Sequence, residues 1–313
     1  MNFLITGAAG FLGSALANQL AREGHVVRGL DDLSSGENER LFEDVHFTRG
    51  DVNDRPKLWT LLQDIDCVYH LAARVRVAES LLYPREYTDV NVGGTVSLME
   101  AMRDVGVRRV VFASSGAVYG DQEVQPLNEE ANTLPSSPYA VSKLSAEYYV
   151  RTIGTLWGIE TVSLRIFNAF GPNQQLPPSH PPVVPNWLRQ AVRGGSLVVH
   201  ADGQQTRDFV YVTDVVRSLV AAATAPNVDR AVINIGSGIE TRLADLAEMI
   251  LEVSHSQAEL LFTPRNDPGV SRTRADISLA KKLLSFEPKV SLEEGLKRTL
   301  DEDPRFETVK ANV

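Results

Sequence analysis

The chain has 313 residues, 43% hydrophobic and 23% charged, which suits one large globular domain and a smaller one. Its 31 basic and 40 acidic side chains leave a net charge of −9, and with no basic tract that balance argues against nucleic acid as a partner. No apolar run approaches the ~18 residues of a membrane span, and the single cysteine, Cys67, reads as a buried thiol, so the expected setting is the reducing cytoplasm without membrane attachment.

In chain order, Asn2–Thr6 reads as a strand and not a leader, because Thr6 and a glycine-rich turn follow at once. Short apolar runs at Val26–Leu30, His46–Arg49, Cys67–Leu71, Arg109–Ala113 and Thr161–Arg165 predict further strands. They alternate with helical patterns such as Phe11–Glu23, Thr95–Val105 and Tyr139–Trp157. Such alternation builds βαβ units, so the expected fold class is α/β, a Rossmann-type doubly wound parallel sheet. Gly171–Pro172 and the proline-rich stretch 177–182 then mark a long loop. Beyond it lie a predicted helix at Val184–Arg193, a strand at Leu197–Val199, and helices at Leu243–Val253 and Ser278–Leu284. Val232–Ile235 is placed to return to the main sheet, so the smaller C-terminal α/β region is expected to interleave with the first domain. The boundaries expected are 1–167 plus about 208–236 for the large domain, 168–207 and 237–302 for the second region, and 303–313 for a frayed tail.

Gly7, Gly10 and Gly13 follow the first strand and open the first helix. A Cβ at such a turn would obstruct close approach of the backbone to a diphosphate, which the helix N-terminal N–H groups then receive. Packing alone can also place glycines there. Asp31, roughly twenty residues on at the end of the second strand, strengthens the nucleotide reading, because an acid there binds a ribose diol and repels a 2′-phosphate. The alternative is that Asp31 and Asp32 cap the following turn.

Tyr139 and Lys143 stand four residues apart in a segment that opens a helix with Pro138 near its start. Residues at that spacing share a face, so the Lys143 ammonium can approach the Tyr139 phenol. A free phenol titrates near ~10, and a neighbouring cation favours the phenolate a base needs. Such pairs also occur by chance, and context decides. Ser115, where the fifth strand ends, is placed to donate a hydrogen bond to a substrate oxygen or, alternatively, to cap a turn.

The ordered series Gly7–Gly13, Leu30–Gly36, Gly50–Val52, His70–Ala73, Asn91–Thr95, the Ser115 and Tyr139 segments, Arg165–Asn168 and Thr206–Val212 resembles the extended short-chain dehydrogenase/reductases. Within them it is most similar to the UDP-galactose 4-epimerase group, over Asn2 to about Leu300. The resemblance implies NAD as cofactor in the large domain and a UDP-sugar in the second region. It assigns the dinucleotide to Gly7, Gly10, Phe11, Leu12, Gly13, Asp31, Asp32, Ser34, Ser35 and Gly36. Asp51 and Val52 would meet the adenine, and Leu71, Ala72 and Ala73 would line the cleft. Asn91 would support the catalytic helix, and Tyr139, Lys143 and Phe167 would face the nicotinamide. Ser115, Asn168 and Arg207 would hold the sugar nucleotide, with Arg265 a weaker diphosphate candidate. Arg207 has a second reading as an ion-pair partner of Asp208.

By the same resemblance Tyr139 is the base and Ser115 polarises the reacting oxygen in a C4 epimerisation through a transient 4-keto sugar. Dehydratases and decarboxylases of the family generally carry an acid two positions beyond the catalytic hydroxyl residue, where this chain has Ala117. Asn168 stands where UDP-glucuronate 4-epimerases often have Thr, which argues modestly against a uronate. Thr273 aligns with a pocket position where a large aromatic excludes N-acetyl sugars in some relatives. Pro182 and Pro268–Gly269 depart from the usual pattern, while Arg74 and Arg76 suit either an anion or a solvated loop. Alternatives are a UDP-glucuronate epimerase, a 4-keto-sugar reductase or a dehydratase on the same scaffold, or a non-catalytic NAD-binding regulator. A homodimer through the Thr95–Val105 and Tyr139–Trp157 helices is expected. No residue cluster has metal-ligand spacing, and His70 reads as a packed core residue.

Overall fold

The computed structural model describes residues 1–264 and 269–309. In its first half, β1 (Asn2–Thr6), β2 (Val26–Asp31), β3 (Val45–Arg49), β4 (Cys67–His70), β5 (Arg109–Ser115) and β6 (Glu160–Ile166) alternate with helices. These are α1 (Phe11–Arg22), α2 (Arg55–Leu61), α3 (Val77–Leu82), α4 (Pro84–Thr88), α5 (Gly94–Val105) and α6 (Pro138–Trp157). The second half carries the short strands β7 (Asn168–Phe170), β8 (Leu197–His200), β9 (Thr206–Arg207) and β10 (Phe209–Tyr211), then β11 (Ala231–Ile235), β12 (Thr241–Arg242) and β13 (Leu260–Thr263). Its helices are α7 (Val183–Val192), α8 (Val212–Thr224), α9 (Leu243–Val253), α10 (Ser278–Leu284) and α11 (Leu292–Glu302).

The main sheet is parallel throughout, in the order β11-β6-β5-β4-β1-β2-β3. This is the Rossmann-type architecture that the alternation of elements implied, and β11 joins it beside β6, with Ala231 opposite Val162. Strand order reverses between β1 and β4, which opens a crevice at their C-terminal ends.

Alternation along β1 shows why the sheet has two apolar faces. Phe3 and Ile5 point into one core with Leu16, Leu20, Tyr69 and Val111, while Leu4 points into the other with Leu98, Met102, Val110 and Val150. Cys67 is fully buried, and burial pushes its thiol up to about 12. Among the described residues no helix is long and apolar enough to cross a membrane.

The expected frayed tail is corrected in part. Pro304–Val309 forms a 3-10 turn, Phe306 is buried in the larger core, and the Asp303 carboxylate accepts the Asn173 N–H at 2.8 Å. A single aromatic anchor and a buried acceptor outweigh the entropy of a terminus. Replacing Phe306 with Ala should therefore lower unfolding stability by roughly 3–5 kcal/mol, read from urea unfolding. A change near zero would restore the frayed tail.

Candidate active site

At the end of β1 the chain turns on Gly7, whose φ of 74° favours glycine. A Cβ there would lie 2.6 Å from the Ala72 nitrogen, and one on Gly13 would lie 1.9 Å from the Gly7 carbonyl oxygen. The turn is thus bare backbone by steric necessity. From Gly10 as N-cap, α1 starts with neither a capping side chain nor an acid in its first turn. Its leading N–H groups are left to an anion, which fits a dinucleotide diphosphate.

Asp31 accepts the Ala9 N–H at 3.0 Å and the Leu33 N–H at 2.8 Å, and Asp32 accepts the Ser34 N–H at 2.8 Å. The capping reading is therefore correct as far as it goes. It also anchors the Asp31 carboxylate beside the glycine turn, with lone pairs left for a ribose diol. Burial raises its carboxyl above the ordinary value against the pull of those N–H groups. Gly36 packs on Ala9, and Gln175 donates to the Ser35 carbonyl. Asp51 accepts the Asn53 N–H at 2.8 Å, and Val52 is buried against Gly94. Leu71 donates to the Thr6 carbonyl at 3.0 Å, which holds Leu71–Ala73 against Gly7. All four segments lie at the C-terminal edge of the sheet, and together they fit NAD.

Ser115 closes β5, and its Oγ accepts the Ala117 N–H at 3.2 Å. Tyr139 lies in the first turn of α6, which Ser137 caps and Pro138 opens. The two are neighbours: burial raises the Tyr139 phenol, and the nearby Ser115 hydroxyl opposes that rise. Lys143, one turn further along, is buried with its ammonium 4.5 Å from the centroid of the Phe112 ring. Burial lowers it to about 7, countered by the charge of Glu147. Phe167 packs directly on Gly116, beside Ser115.

Beneath this trio runs a buried polar chain that the sequence reading saw only at Asn91. The Ala72 N–H donates to Thr6 Oγ1 at 3.3 Å, Thr6 Oγ1 lies 2.7 Å from His70 Nδ1, and His70 Nε2 lies 2.8 Å from Thr95 Oγ1. Thr95 gives its hydroxyl proton to the Asn91 carbonyl at 2.6 Å. That direction requires Nε2–H on His70 and leaves Nδ1 to accept from Thr6. Burial, and then the Lys143 charge, lowers His70 to about 3, so it is neutral. Asn91, in one turn of π-helix at Asp89–Gly93, donates to Ser142 Oγ at 2.9 Å. Ser142 in turn donates to the Tyr139 carbonyl at 2.8 Å. The glycine turn and the catalytic helix are thereby hydrogen-bonded into one frame.

A second buried set went unread in the sequence. Glu147, fully buried, accepts from Ser114 Oγ at 2.7 Å and from Arg165 Nη2 and Nε at 2.7 and 3.1 Å, which pins α6 to β5 and β6.

Asn168 donates through Nδ2 to the Asp208 carbonyl at 3.2 Å, and Arg207 donates to the Thr206 carbonyl at 2.7 Å. The rival reading of Arg207 loses ground here, because the buried Asp208 carboxylate accepts from Ser237 N–H and Oγ–H and from the Gly238 and Ala275 N–H groups, at 2.6–3.0 Å. Against burial, hydrogen bonds from Ser271 and Arg272 and the charge of Arg207 hold the Asp121 carboxyl below its ordinary value. Arg74 lies on the loop before α3, partly exposed, and forms ion pairs with Glu86 at 2.8 Å and Glu79 at 3.5 Å. Arg265 and Pro268 lie outside the described residues. No metal-ligand cluster is present among the described residues, and His70 is a core residue as expected.

A family model described as the NAD dependent epimerase/dehydratase family matches residues 3–236. A UDP-glucose 4-epimerase of Mycolicibacterium smegmatis is 36% identical over 309 residues, covering 96% of this chain and 98% of the relative. The crystal structure of a UDP-glucose 4-epimerase from Thermotoga maritima with UDP-glucose has a TM-score of 0.92 at 34% identity, over 96% of this chain and 98% of that one. UDP-glucuronic acid decarboxylase 1 of Danio rerio is 33% identical over 302 residues, 95% of this chain and 71% of that protein.

The depressed Lys143 sets the sign of a stability test. Because its value is about 7 in the folded chain against 10.5 for a free lysine, the unfolded chain binds the extra proton between those values. The contribution of Lys143 to stability is therefore fully present above 10.5 and is lost as pH falls through about 7. Measured without cofactor, the urea midpoint of the wild type relative to Lys143→Met should fall steadily from pH 10 to pH 7. A pH-independent difference would contradict the burial.

Proposed function

The chain belongs to the NAD-dependent epimerase/dehydratase family and takes NAD as its cofactor, and from that premise we propose that it inverts C4 of a UDP-sugar, with UDP-glucose and UDP-galactose the leading pair. The observation that carries this reading is the placing of Ser115, at the end of β5, beside Tyr139, in the first turn of α6, next to a nucleotide seat and in a turn that supplies no second acid. Gly116–Tyr119 follows Ser115 as a 3-10 turn with Ala117 where an acid for chemistry at C5 or C6 would stand. That favours epimerisation over dehydration or decarboxylation.

NAD, when bound, supplies a reversible hydride acceptor. The chain's own residues do the rest. Tyr139 takes the proton of the 4-hydroxyl, and Ser115 donates a hydrogen bond to the same oxygen as it becomes the carbonyl of a 4-keto sugar. After the 4-keto sugar turns over, C4 presents its opposite face to the returning hydride, and Tyr139 gives the proton back to O4. Lys143, buried one turn away, holds positive charge close to the phenol through the balance between desolvation and Glu147. Asn168 and Arg207 grip the nucleotide, the guanidinium being suited to a diphosphate. Thr273, small and with its hydroxyl buried, supports admission of N-acetyl sugars as well.

The same reading includes a homodimer. Val141, Tyr148 and Leu156 on α6 are exposed, and so are Leu81 and Leu82 on α3. An apolar face of this kind suits pairing with a second copy, and a monomeric mass at micromolar concentration would remove it.

Incubation with UDP-galactose and with UDP-GalNAc, products being separated chromatographically, should give the 4-epimer of at least one without added NADH. No conversion of either by NAD-loaded protein would remove the proposal. Tyr139→Phe should lower kcat by on the order of 10²–10⁴ while NAD affinity stays within about twofold. Retained activity in that variant would exclude Tyr139 as the base.

A further inference from the structure

Beside the loop that follows Asp31, at the border of the dinucleotide seat, lies a cavity whose arginines the chemistry above does not use. It encloses about 400 Å³ and is lined by Arg76, Arg189, Arg193 and Arg305, with Ser35 and Gln175 on its near wall. Four arginines from three separate parts of the chain line it, in a protein of net charge −9.

The acids nearby do not balance them. Glu37 also lines the cavity, but its carboxylate is engaged by Arg40 at 2.9 Å. Asp303 holds Arg305 through Nε at 2.8 Å, and Arg305 also donates to the Gln174 carbonyl at 2.7 Å, so that guanidinium is both neutralised and aimed. Arg76 has only Glu79 at 3.9 Å. Among the described residues, Arg189 and Arg193 have no carboxylate within 4.0 Å, although Arg189 is steadied by Asn186 Oδ1 at 3.0 Å. The C-terminal end of α7 attracts cations and accounts for Arg189 and Arg193. It does not account for Arg76 and Arg305 on the facing walls. Cations gathered in a concave, partly desolvated space repel one another until an anion joins them, and guanidinium forks match phosphate oxygens.

We infer that this cavity binds a small phosphate-bearing anion in addition to the cofactor and the sugar nucleotide. Gln175 reaches from its wall to the Ser35 carbonyl, so the occupant would sit next to the loop that follows Asp31, and no residue of the glycine turn lines the cavity. The inference does not depend on which reaction the enzyme catalyses.

The test is calorimetric titration of inorganic phosphate and inorganic pyrophosphate into protein saturated with NAD and UDP, at low ionic strength. One bound anion is expected, weakened by added salt and weakened about tenfold or more in the double variant Arg189→Ser, Arg193→Ser. NAD affinity should be unchanged in that variant. If it folds poorly, exposed Arg193→Ser alone should still weaken the anion. Absence of binding to the wild type, equal binding by the variants, or binding seen only before NAD and UDP are added would each overturn the inference. The last result would mean that the arginines serve the diphosphates of the cofactor or the substrate.

Discussion

A neutral imidazole joins the two halves of this site. His70 stands at the end of β4, beside the point where strand order reverses, and spans the gap between Thr6 under the glycine turn and Thr95 on α5. From Thr95 the chain of hydrogen bonds continues through Asn91 and Ser142 to the first turn of α6. Each donor meets an acceptor in one direction only, so the arrangement has a single satisfied form. A protonated imidazole would put two donors where one donor and one acceptor are needed. Burial prevents that, and the nearby Lys143 ammonium reinforces it. The distance from the nucleotide turn to the catalytic phenol is therefore set by buried hydrogen bonds and does not rely on loop conformation.

Charge is managed on the same helix. Tyr139, Lys143 and Glu147 follow one another at intervals of four along α6, so all three look towards the sheet. Water is largely absent there, and a lone buried ammonium would lose its proton readily. Glu147 counters this from one turn away while its own oxygens are held by Arg165 and Ser114. Removing the carboxylate would leave Arg165 as an uncompensated buried cation, a costly state. The charge that the chemistry needs and the pair that clamps the helix to β5 and β6 thus share one acid.

What was legible in the sequence follows from how local each signal is. The glycine turn, the Asp31 acid and the Ser137–Lys143 helix start are written in short spacings, because steric and capping rules act over a few residues. The parallel sheet could be read from strand and helix alternation, including the return of Val232–Ile235. Partners far apart in sequence could not be read so. Glu147 and Arg165 look like surface charges until α6 is laid on the sheet. Asp208 looked like a partner for its neighbour Arg207 until four donors from 237–238 and 275 were seen around it. The ion pairs of Arg74 with Glu79 and Glu86 depend on how α3 and α4 fold back beside its loop, which no short spacing states. Phe306 gave no periodic signal, being a single anchor in a short terminal turn.

The proposed nucleotide seat and the proposed base are thus hydrogen-bonded into one frame, and in the proposed reaction the sugar is the element left to move across it. A crystal structure of the NAD-loaded protein with UDP-glucose tests this most directly. The account predicts Tyr139 Oη and Ser115 Oγ together within hydrogen-bonding reach of the sugar O4, with His70 still bridging Thr6 and Thr95. A sugar presenting a different position to Tyr139, or a Tyr139 turned away from Ser115, would contradict it.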